Sequence, residues 1–127
     1  MPKSQANKPK FTTEEVKEII IQSIQDKQGS DAVCLDLRNI NESITDYFII
    51  CHAGSTVQVK AIADEIYRQV KDQTDQYATH SEGYDYLEWV LLDYIDIVVH
   101  IFNKDKRKFY DLEELWSDAP IEQYEEV

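Results

Sequence analysis

The chain has 127 residues, of which 43% are hydrophobic and 30% charged, with only three glycines and three prolines. This composition predicts one globular domain with a single core, and it excludes a disordered, fibrous or low-complexity chain. The formal net charge of −12 disfavours binding to nucleic-acid phosphates or anionic membranes and favours basic protein surfaces, although solubility alone also explains it.

The first predicted helix follows a short N-terminal tail. Residues 1–11 contain lysines and prolines but no apolar segment of a secretory signal, and they predict a disordered tail. Thr12 and Glu15 form a capping box, after which apolar residues recur at helical spacing. Gly29 is the expected C-terminal cap, because glycine readily adopts the left-handed conformation that ends many helices.

Two strands and a second helix are predicted next. The apolar runs Ala32–Leu37 and Asp46–Cys51 predict strands, separated by a polar connection. After a tight turn, Ser55 and Gln58 are expected to cap a helix reciprocally. The apolar residues that follow lie three and four positions apart, which indicates a helix with one buried face.

The back half predicts a β-hairpin. The strand-like runs Trp89–Tyr94 and Ile97–Phe102 are separated only by Ile95 and Asp96, and so short a connection requires antiparallel pairing. Tyr77–His80 is a weaker strand candidate before the hairpin.

The C-terminal region turns from basic to acidic. The run Lys104–Lys108 is interpreted as a solvated turn in preference to an RNA contact, because the rest of the chain is acidic. Asp111 is expected to start a last helix with Leu112, Leu115 and Trp116 on one face. Residues 121–127 predict a mobile acidic tail.

Together these elements predict a single α/β domain over residues 12–120, with a mixed β-sheet of about five strands packed with α-helices. The strand–helix–strand portion requires some parallel pairing, whereas the hairpin is antiparallel. Strands as continuously apolar as residues 47–51 and 97–102 favour a sheet covered on both faces.

Cysteine usage and hydropathy indicate a protein of the cytoplasm. Cys34 and Cys51 lie in apolar runs without C-x-x-C spacing, so they predict free core thiols in a reducing compartment. The longest apolar runs fall far short of the ~20 residues needed to cross a bilayer. We expect a soluble, cytoplasmic protein without a membrane, metal or cofactor partner.

One enzymatic hypothesis has some support. The turn His52-Ala-Gly-Ser55 between a strand and a helix resembles the phosphate-binding turn of nucleotidyltransferases. That chemistry also needs paired carboxylates for a divalent metal, and Asp93 and Asp96 are three residues apart across a turn. Ser55 as a helix cap and His100 as a buried, hydrogen-bonded histidine are the favoured interpretations, so nucleotidyl transfer is kept only as the alternative function.

A binding function fits the hairpin better. Alternation along the first hairpin strand places Trp89, Leu91 and Asp93 on one face and Leu92 and Tyr94 on the other. Tryptophan and tyrosine are enriched at interface centres, and carboxylates pair with a partner's arginine or lysine. The competing interpretation is that the aromatic residues belong to the core.

Several motifs together resemble one known family. The front half carries Asp46-Tyr-Phe-Ile-Ile, Gly54-Ser55 and the helix from Gln58 to Ile66. The back half carries WVLLDY at Trp89–Tyr94, VVHIF at Val98–Phe102 and YDLEELWSDAP ending at Pro120. In this combination residues 12–120 resemble the ribosomal silencing factor family, also called the Iojap family.

This resemblance implies both a fold and a function. Members bind the large ribosomal subunit through its ribosomal protein fourteen and block joining of the small subunit, lowering translation when nutrients are scarce. The family fold is similar to that of nucleotidyltransferases without an active site, and relatives often self-associate, so a homodimer is a candidate assembly. Carried over by position, the interface candidates are Trp89, Leu91, Leu92, Asp93, Tyr94 and Asp96.

One residue departs from the family pattern. Ile95 stands where the family usually has glycine, in the sequence DYGD. Because a β-branched residue disfavours a positive φ, either the turn does not need one or the hairpin differs locally. The placement of Asp96 and Tyr94 depends on the answer.

Overall fold

The computed structural model describes residues 11–40 and 43–126. The disordered tail predicted at residues 1–10, two residues of the polar connection (41 and 42) and residue 127 lie outside the described residues. Phe11, which the sequence assigned to the tail, packs against the core.

Within these residues, six strands form one sheet accompanied by four helical segments. The strands are β1 (Ser30–Asp36), β2 (Tyr47–Ala53), β3 (His80–Glu82), β4 (Trp89–Asp93), β5 (Ile97–Asn103) and β6 (Ile121–Gln123), and the helices are α1 (Thr13–Asp26), α2 (Thr56–Thr74), α3 (Lys104–Tyr110) and α4 (Leu112–Leu115). The strand order is β3-β4-β5-β2-β1-β6, with β2 and β5 parallel and the other neighbours antiparallel. The predicted α/β class and mixed sheet are confirmed, with six strands in place of about five, whereas likeness to nucleotidyltransferases stays a prediction.

Helices α1 and α2 cover one face of the sheet. The Thr12–Glu15 capping box is present at the start of α1 as predicted. The largest core cluster joins apolar side chains of both helices to those of the central strands, among them Ile20, Ile24, Ile62, Ile66, Ile49, Val99 and Ile101. No helix in the described part of the chain is long and apolar enough to cross a membrane.

The two predicted cysteines are confirmed as free, buried thiols, Cys34 on β1 and Cys51 on β2. Burial raises the pKa of each thiol to about 12, so both stay protonated near neutral pH.

The end of α1 differs from the prediction. Gln28, not Gly29, takes the left-handed conformation, with φ 60°. Gly29 is needed for space, because a Cβ there would lie 2.6 Å from Ile24 Cγ2. Ser55 accepts the Gln58 N–H, but the predicted reciprocal bond from the Ser55 N–H to the Gln58 side chain is not formed. The Gln58 side-chain amide instead donates to the carbonyls of Lys27 and Gln28 and so ties α2 to the end of α1.

The weak strand candidate Tyr77–His80 is displaced along the chain. Regular pairing with β4 begins at the pair His80↔Asp93 and continues to Glu82↔Leu91, so the strand occupies His80–Glu82.

The C-terminal region corrects three predictions. The basic run expected to be a solvated turn forms α3, which is capped by the Asn103 side chain. Leu112 and Trp116 pack against the second face of the sheet, but Leu115 is 72% exposed, so the three do not share one buried face. The tail expected to be mobile contains β6, because the extended backbone after Pro120 pairs with the free edge of β1.

Candidate protein-binding face of the sheet

Strand β4 distributes the predicted interface residues over two faces of the sheet. Val90 and Leu92 face α1 and α2 and are fully buried. Trp89, Leu91 and Asp93 lie on the opposite side, which we call the open face, and each is half-buried. The alternation predicted from the sequence is confirmed, so the open face is where this strand can meet a partner.

Leu92 and Tyr94 were predicted as contact residues because they lie in the WVLLDY motif, and this prediction is wrong. Leu92 has no exposed surface, Tyr94 is 8% exposed, and both belong to the core beneath the helices. The Tyr94 hydroxyl is buried without a hydrogen-bond partner among the described residues, and burial raises its pKa. These two residues hold β4 against the helices; Leu92 presents no surface to a partner and Tyr94 very little.

Trp89 is fixed on the open face by a histidine beneath it. The Trp89 Nε1–H donates to His100 Nδ1 over 3.0 Å, and His100 is only 3% exposed. Burial lowers the pKa of His100 to about 4, so the imidazole is neutral near pH 7. Since Nδ1 accepts the hydrogen bond, the ring proton lies on Nε2. The interpretation of His100 as a buried, hydrogen-bonded histidine is confirmed.

Further aromatic rings pack beside Trp89 and on the other side of His100. Trp89 stacks on Phe102 with 4.9 Å between ring centroids and lies 4.7 Å from Tyr110 of α3. On the other side of His100, Phe48 packs edge-on at 4.6 Å, and Trp116 packs against Phe48 at 5.7 Å. A face of this kind suits apolar side chains and the guanidinium groups of arginine.

Phe48 and Tyr110 were not among the residues predicted for this face. The signal for Phe48 was present, because it lies between Tyr47 and Ile49, which face the helices. Tyr110 carried no comparable signal, since its place depends on how α3 folds back over β5.

The hairpin turn adopts the positive φ that its sequence disfavours. Ile95 has φ 75° and is 62% exposed. The Asp96 N–H donates to the Tyr94 carbonyl over 2.9 Å, which makes Ile95 the centre of a three-residue γ-turn of the rare, strained kind. The Tyr94 N–H donates to the Ile97 carbonyl and closes the hairpin. The turn therefore needs the conformation that glycine would adopt freely, and Ile95 takes it under strain.

Asp93 and Asp96 diverge from this turn. The Asp93 carboxylate accepts the Ile95 N–H over 2.8 Å on the open face. The Asp96 carboxylate lies 3.5 Å from the Thr13 hydroxyl at the start of α1, on the helix-covered side, and is exposed. They are not arranged as a shared metal site, and the described residues contain no group of three or more His, Cys, Asp and Glu able to hold a metal ion.

The opposite end of the sheet carries the residues of the enzymatic alternative. Ser55 caps α2 by accepting the Gln58 N–H, which confirms the structural interpretation of the Gly54-Ser55 turn. A cleft of roughly 510 Å³ lies nearby, lined by residues including His52 and Arg107. Arg107 is bound to the Glu113 carboxylate and to the Asp31 carbonyl. Burial and the adjacent Arg107 charge lower the pKa of His52, which favours the neutral ring. Lys104 and Lys108 also line the cleft.

Comparisons with known proteins match nearly the whole chain. A family model described as "Ribosomal silencing factor during starvation" matches residues 10–127. The ribosomal silencing factor of Bacillus subtilis is 43% identical over 109 residues, which cover 84% of this chain and 88% of that protein. That of Halalkalibacterium halodurans is 39% identical over 117 residues, covering 92% and 98%. A crystal structure of a Chromobacterium violaceum protein superposes with a TM-score of 0.80 at 32% identity, covering 84% of this chain and 88% of the other.

Proposed function

The chain belongs to the ribosomal silencing factor family, and we propose on this premise that it represses translation by binding the large ribosomal subunit in the cytoplasm and blocking attachment of the small subunit. The proposed contact on the large subunit is ribosomal protein fourteen. The mechanism is occupancy of the joining surface, which requires no catalysis, metal or cofactor.

The observation that best supports this proposal is the half-buried, rigidly held Trp89 on the open face. Its indole nitrogen is hydrogen-bonded to His100, and its ring is stacked on Phe102, so little side-chain freedom is left to lose on binding. Tryptophan in such a setting is the residue type that most often dominates an interface.

Charge supports a basic protein as the partner. The chain has a net charge of −12. At the hairpin end of the sheet, the half-buried Asp93 lies on the open face and the exposed Asp96 lies beside it on the helix-covered side. A basic ribosomal protein would attract this surface, while the phosphates of ribosomal RNA would repel it. The electrostatic field of the whole chain therefore favours binding to a basic protein surface over binding to the surrounding ribosomal RNA.

The residues that we propose as contacts are fewer than the six interface candidates predicted from the family motif. We propose Trp89, Leu91, Asp93 and Asp96 as direct contacts. Leu92 and Tyr94 act from the core, since both support β4 on its helix-covered side. The homodimer implied by the family stays a prediction, which sedimentation equilibrium of the purified protein tests.

Binding to isolated large subunits tests the proposal. We expect the wild-type protein to co-sediment with large subunits and Trp89→Ala to bind about 30-fold more weakly, because losing an interface hot spot costs about 2 kcal/mol. Asp96→Lys should also weaken binding. The Asp96 side chain is exposed and loses only a long 3.5 Å contact with the Thr13 hydroxyl, so the variant should fold.

The matched control is Glu18→Lys, which makes the same change of charge at an exposed position on α1, five residues beyond the Thr13 that Asp96 contacts. Circular dichroism establishes that each variant is folded. Equal binding by folded Asp96→Lys and Glu18→Lys would refute the site, and no binding by the wild type would refute the function.

A further inference from the structure

The hairpin turn holds an apolar side chain in solvent at a conformational cost. Ile95 has φ 75° and is 62% exposed, so it is strained and contributes little burial to the core. Backbone strain that brings the fold no visible benefit is often associated with a functional contact. Neither the exposure nor the strain is explained by packing within the described residues.

A second exposed isoleucine lies beside the turn. Ile44 is 97% exposed. The next residue, Thr45, donates its hydroxyl hydrogen to the Ile95 carbonyl over 2.8 Å, and the Asp46 N–H donates to the Asp96 carbonyl over 3.0 Å. These bonds fasten the loop that carries Ile44 to the hairpin turn, so the two isoleucines lie at the same end of the sheet. We call Ile44 and Ile95 the isoleucine pair.

Carboxylates surround the isoleucine pair. Asp46 and Asp96 are close to the pair in sequence and are joined to each other by a backbone hydrogen bond, and the Asp93 carboxylate accepts the Ile95 N–H. The basic residue at this end of β1, Arg38, is engaged by both carboxylate oxygens of Asp36 at 2.9 and 2.7 Å. The surroundings therefore present negative charge to a partner, and complementarity calls for a basic one.

We propose that the isoleucine pair is an apolar anchor that enters a small apolar depression edged by lysine or arginine on the basic protein that this chain binds. The proposal rests on the proposed function and extends it to two residues outside the predicted contact set. The strain at Ile95 is retained because its side chain is buried only in the complex. Stability of the free protein and affinity for the partner thus oppose each other at this position.

Two substitutions at Ile95 separate these effects. Ile95→Gly removes the side chain and relieves the strain, while Ile95→Asn keeps a side chain of similar reach that is polar and tolerates a positive φ. Both variants should fold and be at least as stable as the wild type. Both should raise the dissociation constant for isolated large subunits at least tenfold, a loss of about 1.4 kcal/mol.

Ile44→Ala should weaken binding in the same direction. Val57→Ala is the matched control, because Val57 is 78% exposed and lies in the first turn of α2, which follows β2 at the opposite end of the sheet. It should bind like the wild type.

The outcomes distinguish this inference from the proposed function. Failure of the wild type to bind large subunits overturns both. Wild-type binding that Ile95→Gly and Ile95→Asn leave unchanged overturns the isoleucine pair alone. Unchanged subunit binding with weakened self-association would identify a second copy of the chain as the occupant and would also overturn the proposal.

Discussion

The backbone conformation of Ile95 and the burial of His100 each lower the stability of the folded protein by a measurable amount. At Ile95 the branched side chain is held at φ 75° in an exposed turn. A left-handed backbone costs an L-residue about 1–2 kcal/mol, whereas glycine loses about 0.5–1 kcal/mol through its greater freedom when unfolded. The difference favours glycine at this turn.

We therefore expect Ile95→Gly to raise the free energy of unfolding by about 0.5–1 kcal/mol. Urea denaturation at pH 7 measures it, with Ile44→Ala as an exposed control that should change stability by less than about 0.5 kcal/mol. A clear loss of stability in Ile95→Gly would show that the isoleucine side chain supports the fold.

The second residue, His100, makes stability depend on pH. Its pKa is about 4 in the folded protein against an ordinary value of 6.5, because burial disfavours the charged ring. Between these values the unfolded chain binds a proton that the folded chain does not, so stability falls as the pH is lowered from 6.5 towards 4. Near pH 4.5 this group should account for a loss of about 2–3 kcal/mol.

His100→Gln removes this titration and keeps an acceptor for Trp89. Urea denaturation at pH 7 and pH 4.5 should show a smaller acid-induced loss of stability in His100→Gln than in the wild type. Parallel losses in the two proteins would mean that His100 is protonated in the fold. Carboxylates with a lowered pKa, such as Glu14 beside Lys17, affect both proteins equally and cancel in the comparison.

Neighbouring residues of β4 have different roles: those under the helices support folding, and those on the open face are proposed to bind the partner. Leu92 is fully buried under the helices, and its neighbour Leu91 is half-buried on the open face. We expect Leu92→Ala to cost about 2–5 kcal/mol in unfolding free energy, the usual range for a buried leucine. Leu91→Ala should cost much less and should weaken binding to the large subunit. Equal stability losses for the two variants would contradict the assignment of faces.

The sequence predicts the elements that local patterns specify. The capping box at Thr12, the helix after Ser55 and the alternation along β4 all depend on neighbours within a few residues, and each is confirmed. Strand β6 escaped prediction because three residues of modest hydrophobicity become a strand only by pairing with β1, far away in the chain. Helix α3 was missed because charged residues dominate it and its cap is a single asparagine.

As with the fold, the parts of the candidate site that depend on local patterns could be predicted from the sequence. Trp89, Leu91 and Asp93 could be assigned to one face from alternation alone. Alternation does not tell which of the two faces the helices cover. Leu92 and Tyr94, which lie under the helices, were therefore wrongly grouped with the contacts. Alternation along β2 indicated the face of Phe48, but its approach to His100, like that of Tyr110 to Trp89, joins elements that are distant in the chain. The φ of Ile95 opposes the propensity of isoleucine, so it did not follow from sequence pattern.

The charge of the whole molecule should govern how fast it meets its partner. With a net charge of −12, attraction to a basic protein patch raises the association rate at low ionic strength, and salt screens it within a Debye length of about 10 Å at 0.1 M. We expect the association rate with immobilised large subunits to fall as salt rises from about 50 to 300 mM. A rate that increases with salt would indicate that repulsion by ribosomal RNA dominates the approach.

The proposed function requires that this protein prevent the two ribosomal subunits from joining. The direct measurement is sucrose-gradient sedimentation of purified large and small subunits at a magnesium concentration that favours joining, with and without saturating protein. We predict that the wild type leaves the subunits separate, whereas folded Asp96→Lys allows full ribosomes to form and Glu18→Lys inhibits like the wild type. Normal formation of full ribosomes while the wild-type protein is bound to the large subunit would contradict the claim.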